Sequence, residues 1–233
     1  MLVTRPLEQG RAFVKDYQNL WPNWLNCIVT PLLEIVPRDT DVSFDNIEGA
    51  IFSSSNAVKF APVCRDIPAY CVGQTTTRAA RHKGWEAFLV AATAKELITE
   101  MKCLRPKTPL LHIAGRHMRG KIADNLTQAG LHTRTVIVYD QALRDLSEQA
   151  QRVIGGTSPV ILPVFSPRTA RQLRKQRLGR APLHLVALSP AVMDELRQIR
   201  AASKTMARAP DGPSMVAAVQ NVLRRVEAGQ TPQ

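Results

Sequence analysis

The amino-acid sequence predicts an α/β fold of two doubly wound parallel sheets, each of about five strands with helices on both faces. Three observations lead there. Short β-rich apolar runs alternate with longer amphipathic segments along all 233 residues, the pattern of parallel strands joined by helical crossovers. Ten such runs are too many for one sheet in a chain of this length. The order of segments also repeats after roughly 110 residues, a period too long for a solenoid unit.

The strand-like runs cover residues 2–4, 27–29 leading to 32–36, 50–52, 69–72, 88–90, 110–114, 135–139, 160–165, 183–188 and 205–207. Helical spacing of apolar residues marks 75–83, 94–101, 121–128, 167–176, 190–200 and 214–227. The repeat is seen in the junctions. Ala50-Ile-Phe-Ser-Ser-Ser-Asn-Ala57 has a counterpart in Leu162-Pro-Val-Phe-Ser-Pro-Arg-Thr-Ala170, each a strand that ends in serine and starts a helix. Tyr70-Cys-Val-Gly-Gln-Thr-Thr-Thr77 corresponds to Val186-Ala-Leu-Ser-Pro-Ala191, and residues 110–130 mirror 2–20. Internal duplication explains this order, with chance likeness between generic βα units as the competing explanation.

The chain is 45% hydrophobic, enough for a sizeable core. Its 31 Lys+Arg against 19 Asp+Glu give a net charge of +12, which implies an anionic partner. The densest basic run, Arg168 to Arg180, lies in a helix-like segment, where a solvated helix face is the plain reading. No aromatic residues are interleaved with it to stack on bases, so a nucleic-acid partner is not expected. Cys27, Cys64, Cys71 and Cys103 form no C-x-x-C pair, and His112 and His117 are five apart rather than four, so no metal site is expected. The start, Met1-Leu-Val-Thr-Arg-Pro6, runs into a strand without the layout of a signal peptide, and no apolar run reaches the ~18 residues of a membrane span. A cytoplasmic protein without membrane contact is the expectation.

Chemistry is expected at the strand-to-helix junctions. Ser53-Ser54-Ser55-Asn56, Gly73-Gln74-Thr75-Thr76, Ser166-Pro167 and Ser189-Pro190 would present backbone N–H groups at helix N-termini, which favour anions. Ser and Thr are also ordinary N-caps, so each junction alone has a bland reading. Four of them in a basic protein point to a ligand with several carboxylates or phosphates. The sequence has no G-x-x-x-x-G-K-[ST], no G-x-G-x-x-G, no G-x-S-x-G and no paired carboxylates with a plausible catalytic spacing in its loops.

At these same junctions the sequence resembles the uroporphyrinogen-III synthases. The matching elements are Leu2-Val-Thr-Arg-Pro6, Ile51-Phe-Ser-Ser-Ser-Asn-Ala-Val58, Val72-Gly-Gln-Thr-Thr76, Gly115-Arg116 with Gly120, Val138-Tyr139, Phe165-Ser-Pro167 and Ala187-Leu-Ser-Pro190. They stand in family order over nearly the whole chain. The resemblance implies two flavodoxin-like domains joined by a two-stranded linker, with residues 1–36 and 143–233 in one and 39–141 in the other, and an active site in the cleft between them. It implies a polycarboxylate linear tetrapyrrole, hydroxymethylbilane, as substrate, no metal or organic cofactor, and a monomer. Thr4, Arg5, Ser53, Ser54, Ser55, Asn56, Gly73, Thr75, Thr76, Gly115, Arg116, Ser166, Pro167 and Ser189 would bind its carboxylates, mostly through backbone amides. Tyr139 would hydrogen-bond the departing hydroxyl from the end of its strand. The chain departs from the family pattern at Leu20-Trp-Pro-Asn-Trp24, where a Gly is common, and at Ser189-Pro-Ala-Val192, where Gly-x-Thr-Thr is common. A non-catalytic α/β module that closes on an anionic tetrapyrrole is the alternative.

Overall fold

Strand and helix alternate from end to end in the computed structural model, which describes residues 1–22, 25–118 and 120–229. Asn23 and Trp24, the end of the first departure from the family pattern, lie outside the described residues, as do residues 230–233 of the discontinuous domain. The chain forms two compact units, Met1–Glu34 with Ala142–Gln233, and Ile35–Gln141.

In the first unit, β1 (Leu2–Val3) pairs parallel with β2 (Ile28–Val29) and lies beside β9 (Val160–Val164). β9 continues into a parallel ladder with β10 (Leu183–Ala187) and β11 (Ser203–Met206). In the second unit the sheet order places β8 (Thr133–Leu143) next to β7 (Leu110–Gly115), then β4 (Gly49–Phe52), β5 (Ala69–Val72) and β6 (Ala87–Ala91). The two orders, β2-β1-β9-β10-β11 and β8-β7-β4-β5-β6, are the same once the chain is cut into repeats. The first two strands of each repeat complete the sheet of the other. The fold is two flavodoxin-like doubly wound α/β units.

Two strands connect the units. β3 (Leu33–Pro37) runs beside β8, with Arg144 N–H donating to Leu32 O at 3.0 Å and Arg38 N–H to Val138 O at 3.0 Å. As one strand advances six residues the other retreats six, so the pair is antiparallel.

Alternate residues of each strand feed two cores, as a sheet covered on both faces requires. In the first unit Leu2, Leu162 and Leu185 pack under α6 (Glu148–Gly155), α7 (Pro167–Arg174) and α8 (Pro190–Leu196). Their neighbours Val3, Ile161 and Val186 face α1 (Leu7–Leu20) and α9 (Gly212–Glu227). In the second unit Phe52, Leu111 and Ile113 meet α2 (Ser55–Phe60) and α3 (Gln74–Lys83), while Ile51 and Leu110 meet α4 (Ala94–Leu104) and α5 (Ile122–Gln128). The basic run on α7 is partly neutralised: Arg171 pairs with Glu195 at 2.6 Å and Arg174 lies 3.8 Å from the other oxygen of the same carboxylate.

Candidate functional site

Within the second unit, the carboxyl ends of β4 and β7 and the middle of β8 bring several of the expected residues together. Tyr139 does not stand at a strand end, because β8 runs on to Leu143 to pair with β3. It faces Gly115 across the β7–β8 ladder, at a register shift between Ala114 and Gly115. Its ring lies over that glycine, beside Phe60 at 6.2 Å between centroids, and is 5% exposed. The phenol donates to Ser54 Oγ at 3.3 Å, long for an O–H···O bond. Ser54 in turn caps α2, accepting from Asn56 N–H at 3.2 Å.

Beneath this loop lies a residue that its sequence spacing sets aside. His112, on β7 and 1% exposed, places Nε2 3.1 Å from Ser53 Oγ, while its Nδ1 has no partner. Burial pulls its pKa down from 6.5 to about 4, so the ring is neutral at physiological pH. The unfolded chain therefore binds a proton that the folded chain refuses. Stability should be full above pH ~6.5 and fall by on the order of 3 kcal/mol as pH drops toward 4. Urea midpoints across that window should fall less steeply for His112→Gln than for wild type, and identical slopes would contradict it.

At the rim, Arg116 Nε lies 3.4 Å and His117 Nε2 3.3 Å from opposite oxygens of Asp140. The Asp140 carboxyl is held below its ordinary pKa by the Gln141 backbone N–H, helped by Arg116, His117 and Arg38. Sequence reading misses His112 and Asp140, because only the β4–β7–β8 adjacency brings them to Ser53 and Arg116. The β5–α3 junction follows the strand paired with β4. Gly73 adopts φ +77°, no side chain caps α3, Thr75 is exposed and Thr76 is buried.

The first unit carries the equivalent junctions. Thr4 is fully buried and accepts through its carbonyl from Leu32 N–H at 3.2 Å, so at this junction Arg5, not Thr4, has surface to offer a ligand. Arg5 is half-buried, its guanidinium 4.4 Å over the Phe165 ring. Burial lowers its pKa from the ordinary value, with Asp16 opposing. Ser166 spends its hydroxyl on α7, accepting from Thr169 N–H at 3.0 Å, with Pro167 as the first helical residue. Ser189 begins α8 without a side-chain cap. Arg5 after β1 and Arg116 after β7 occupy corresponding places in the two repeats.

A family model described as "Uroporphyrinogen-III synthase HemD" matches residues 25–217. The chain belongs to the uroporphyrinogen-III synthase family. Among solved structures it is similar to the uroporphyrinogen-III synthetase of Helicobacter pylori, with 16% identity, a TM-score of 0.66, and 86% of this chain and 95% of that one covered. A mutant uroporphyrinogen III synthase of Thermus thermophilus aligns over 97% of this chain and 98% of its own, with 10% identity and a TM-score of 0.50. At these identities the likeness is one of fold. No curated protein matches. Among the described residues no helix is long and apolar enough to cross a membrane, and no group of three or more His, Cys, Asp or Glu could hold a metal ion.

Proposed function

We propose that this protein cyclises hydroxymethylbilane to uroporphyrinogen III, with inversion of ring D and release of water, in tetrapyrrole biosynthesis. The family match over residues 25–217 carries the reading. The charge of +12 supports it, since the substrate is a linear tetrapyrrole with eight carboxylates. Loss of water and formation of a carbon–carbon bond leave the oxidation level unchanged, so the reading assigns no cofactor. The protein acts as a cytoplasmic monomer.

In this reading the terminal hydroxyl leaves as water and gives an azafulvene. The substituted carbon of ring D attacks it, and the resulting spiro intermediate fragments and recloses with ring D turned over. The free bilane already closes to the uninverted isomer, so the protein's task is mainly to hold one conformation and stabilise a cationic intermediate. The loops after β4, β5 and β7 and those after β1, β9 and β10 bind the acetate and propionate groups. Arg5 and Arg116 supply charge, and the Ser53–Asn56, Gly73–Thr76, Ser166-Pro167 and Ser189-Pro190 junctions supply backbone amides. Tyr139 exchanges its long bond to Ser54 for one to the departing hydroxyl. A phenol can donate there without bringing a charge.

Supplying fresh hydroxymethylbilane and separating the product isomers tests the reaction itself. Salt tests the role of charge. KM for the bilane should rise several-fold between low and physiological ionic strength while kcat changes little. Arg5→Gln and Arg116→Gln should each raise KM further and flatten the salt response. A salt-insensitive KM would show that the surplus charge is only a solvated surface.

A further inference from the structure

We infer that His112 is a positioning residue that turns the Ser53 hydroxyl outward as a hydrogen-bond donor to a substrate carboxylate. This rests on the proposed function and adds a residue that the family resemblance does not assign. The two ring nitrogens of His112 have different surroundings. Nε2 lies 3.1 Å from Ser53 Oγ, and Nδ1 is buried without a partner. A neutral imidazole has one N–H to place. On Nδ1 it would be a buried donor with nothing to bond, and a stranded N–H is costlier than an idle acceptor lone pair. The proton therefore sits on Nε2 and is donated to Ser53 Oγ.

That assignment decides what the serine can do. With an oxygen lone pair occupied from below by His112, the Ser53 hydroxyl hydrogen is free to rotate toward the half-buried face of the loop. The hydroxyl then donates to an anion. With the opposite tautomer Ser53 would donate down into the ring and offer the substrate only lone pairs, which repel a carboxylate. Burial keeps the imidazole neutral, so the orientation holds across the working pH range.

A kinetic cycle and a spectroscopic measurement test the inference together. Ser53→Ala should raise KM for hydroxymethylbilane by about 10-fold, the loss of one charge-assisted hydrogen bond, with kcat little changed. His112→Leu should raise KM about as much, the double variant no further, and His112→Gln, whose amide can reach the Nε2 position, should restore most of it. A merely structural histidine would lower the melting temperature and the active fraction while leaving KM alone. Additive losses, or an unchanged KM in His112→Leu that folds as wild type does, would overturn the inference. Imidazole nitrogen NMR on the wild-type protein reads the tautomer without any turnover. A protonated Nε2 supports the inference, and a protonated Nδ1 overturns it even if His112→Leu fails to fold. Wild type that makes no uroporphyrinogen III yet shows the Nε2 tautomer would count against the proposed reaction, leaving the outward donor in place.

Discussion

Replacing Gly115 by alanine should lower kcat by on the order of 100-fold and stability by about 1–3 kcal/mol. A methyl group there would stand 2.3 Å from Cζ of Tyr139, 2.5 Å from Cε2 and 2.7 Å from Cε1. Carbon atoms in contact need about 3.5 Å, so the ring must move by roughly 1 Å or the two strands must part. Both responses withdraw the phenol from Ser54 and from the place where the bilane hydroxyl would leave. A displacement of that size in a reacting group costs about 100-fold in rate. Denaturant midpoints and single-turnover rates on the same preparation would separate the two effects. Wild-type turnover in Gly115→Ala would show that Tyr139 need not be where the structure puts it.

Tyr139→Phe keeps the ring and removes only the donor. It should lower kcat by on the order of 10–100-fold, the low end of what a placed proton donor contributes. Stability should change little, because the lost bond to Ser54 is long and Ser54 keeps its cap on Asn56. Residual activity should persist, since the remaining loops would still orient ring D. Near-normal turnover would leave a catalyst that works by conformation alone, and would assign Tyr139 to packing against Gly115 and Phe60.

How much of the molecule is legible in its sequence follows from what each feature depends on. Fully buried strands such as β4, β7, β9 and β10 read as continuous apolar runs, and their bounds in the sequence fall within a residue of those in the fold. The apolar run of β8 predicts an end at 139, because Asp140 and Gln141 interrupt it, yet β3 holds residues 140–143 in a ladder. α6 lies outside the helical spans marked in the sequence because it is only eight residues long and buries a single i, i+4 pair, Ala150 and Ile154. The junctions around Ser53, Gly115 and Ser166 are visible as strand ends followed by helix starts. The capping expected of such serines is what Ser54 and Ser166 do for their own helices, whereas the burial of Thr4 is not visible in the sequence. The His112–Ser53 contact spans 59 residues and exists only because β7 pairs with β4. A pattern confined to one segment could not reveal it.

The central claim is a reaction that inverts ring D, and the product isomer reports it directly. Hydroxymethylbilane generated in situ and allowed to close without this protein gives the uninverted isomer. With the protein present at catalytic concentration, the oxidised products separated by chromatography should be almost wholly the type III isomer, formed over many turnovers. An isomer ratio unchanged from the spontaneous reaction, even with the bilane bound, would contradict the account and leave a binding module in place of an enzyme.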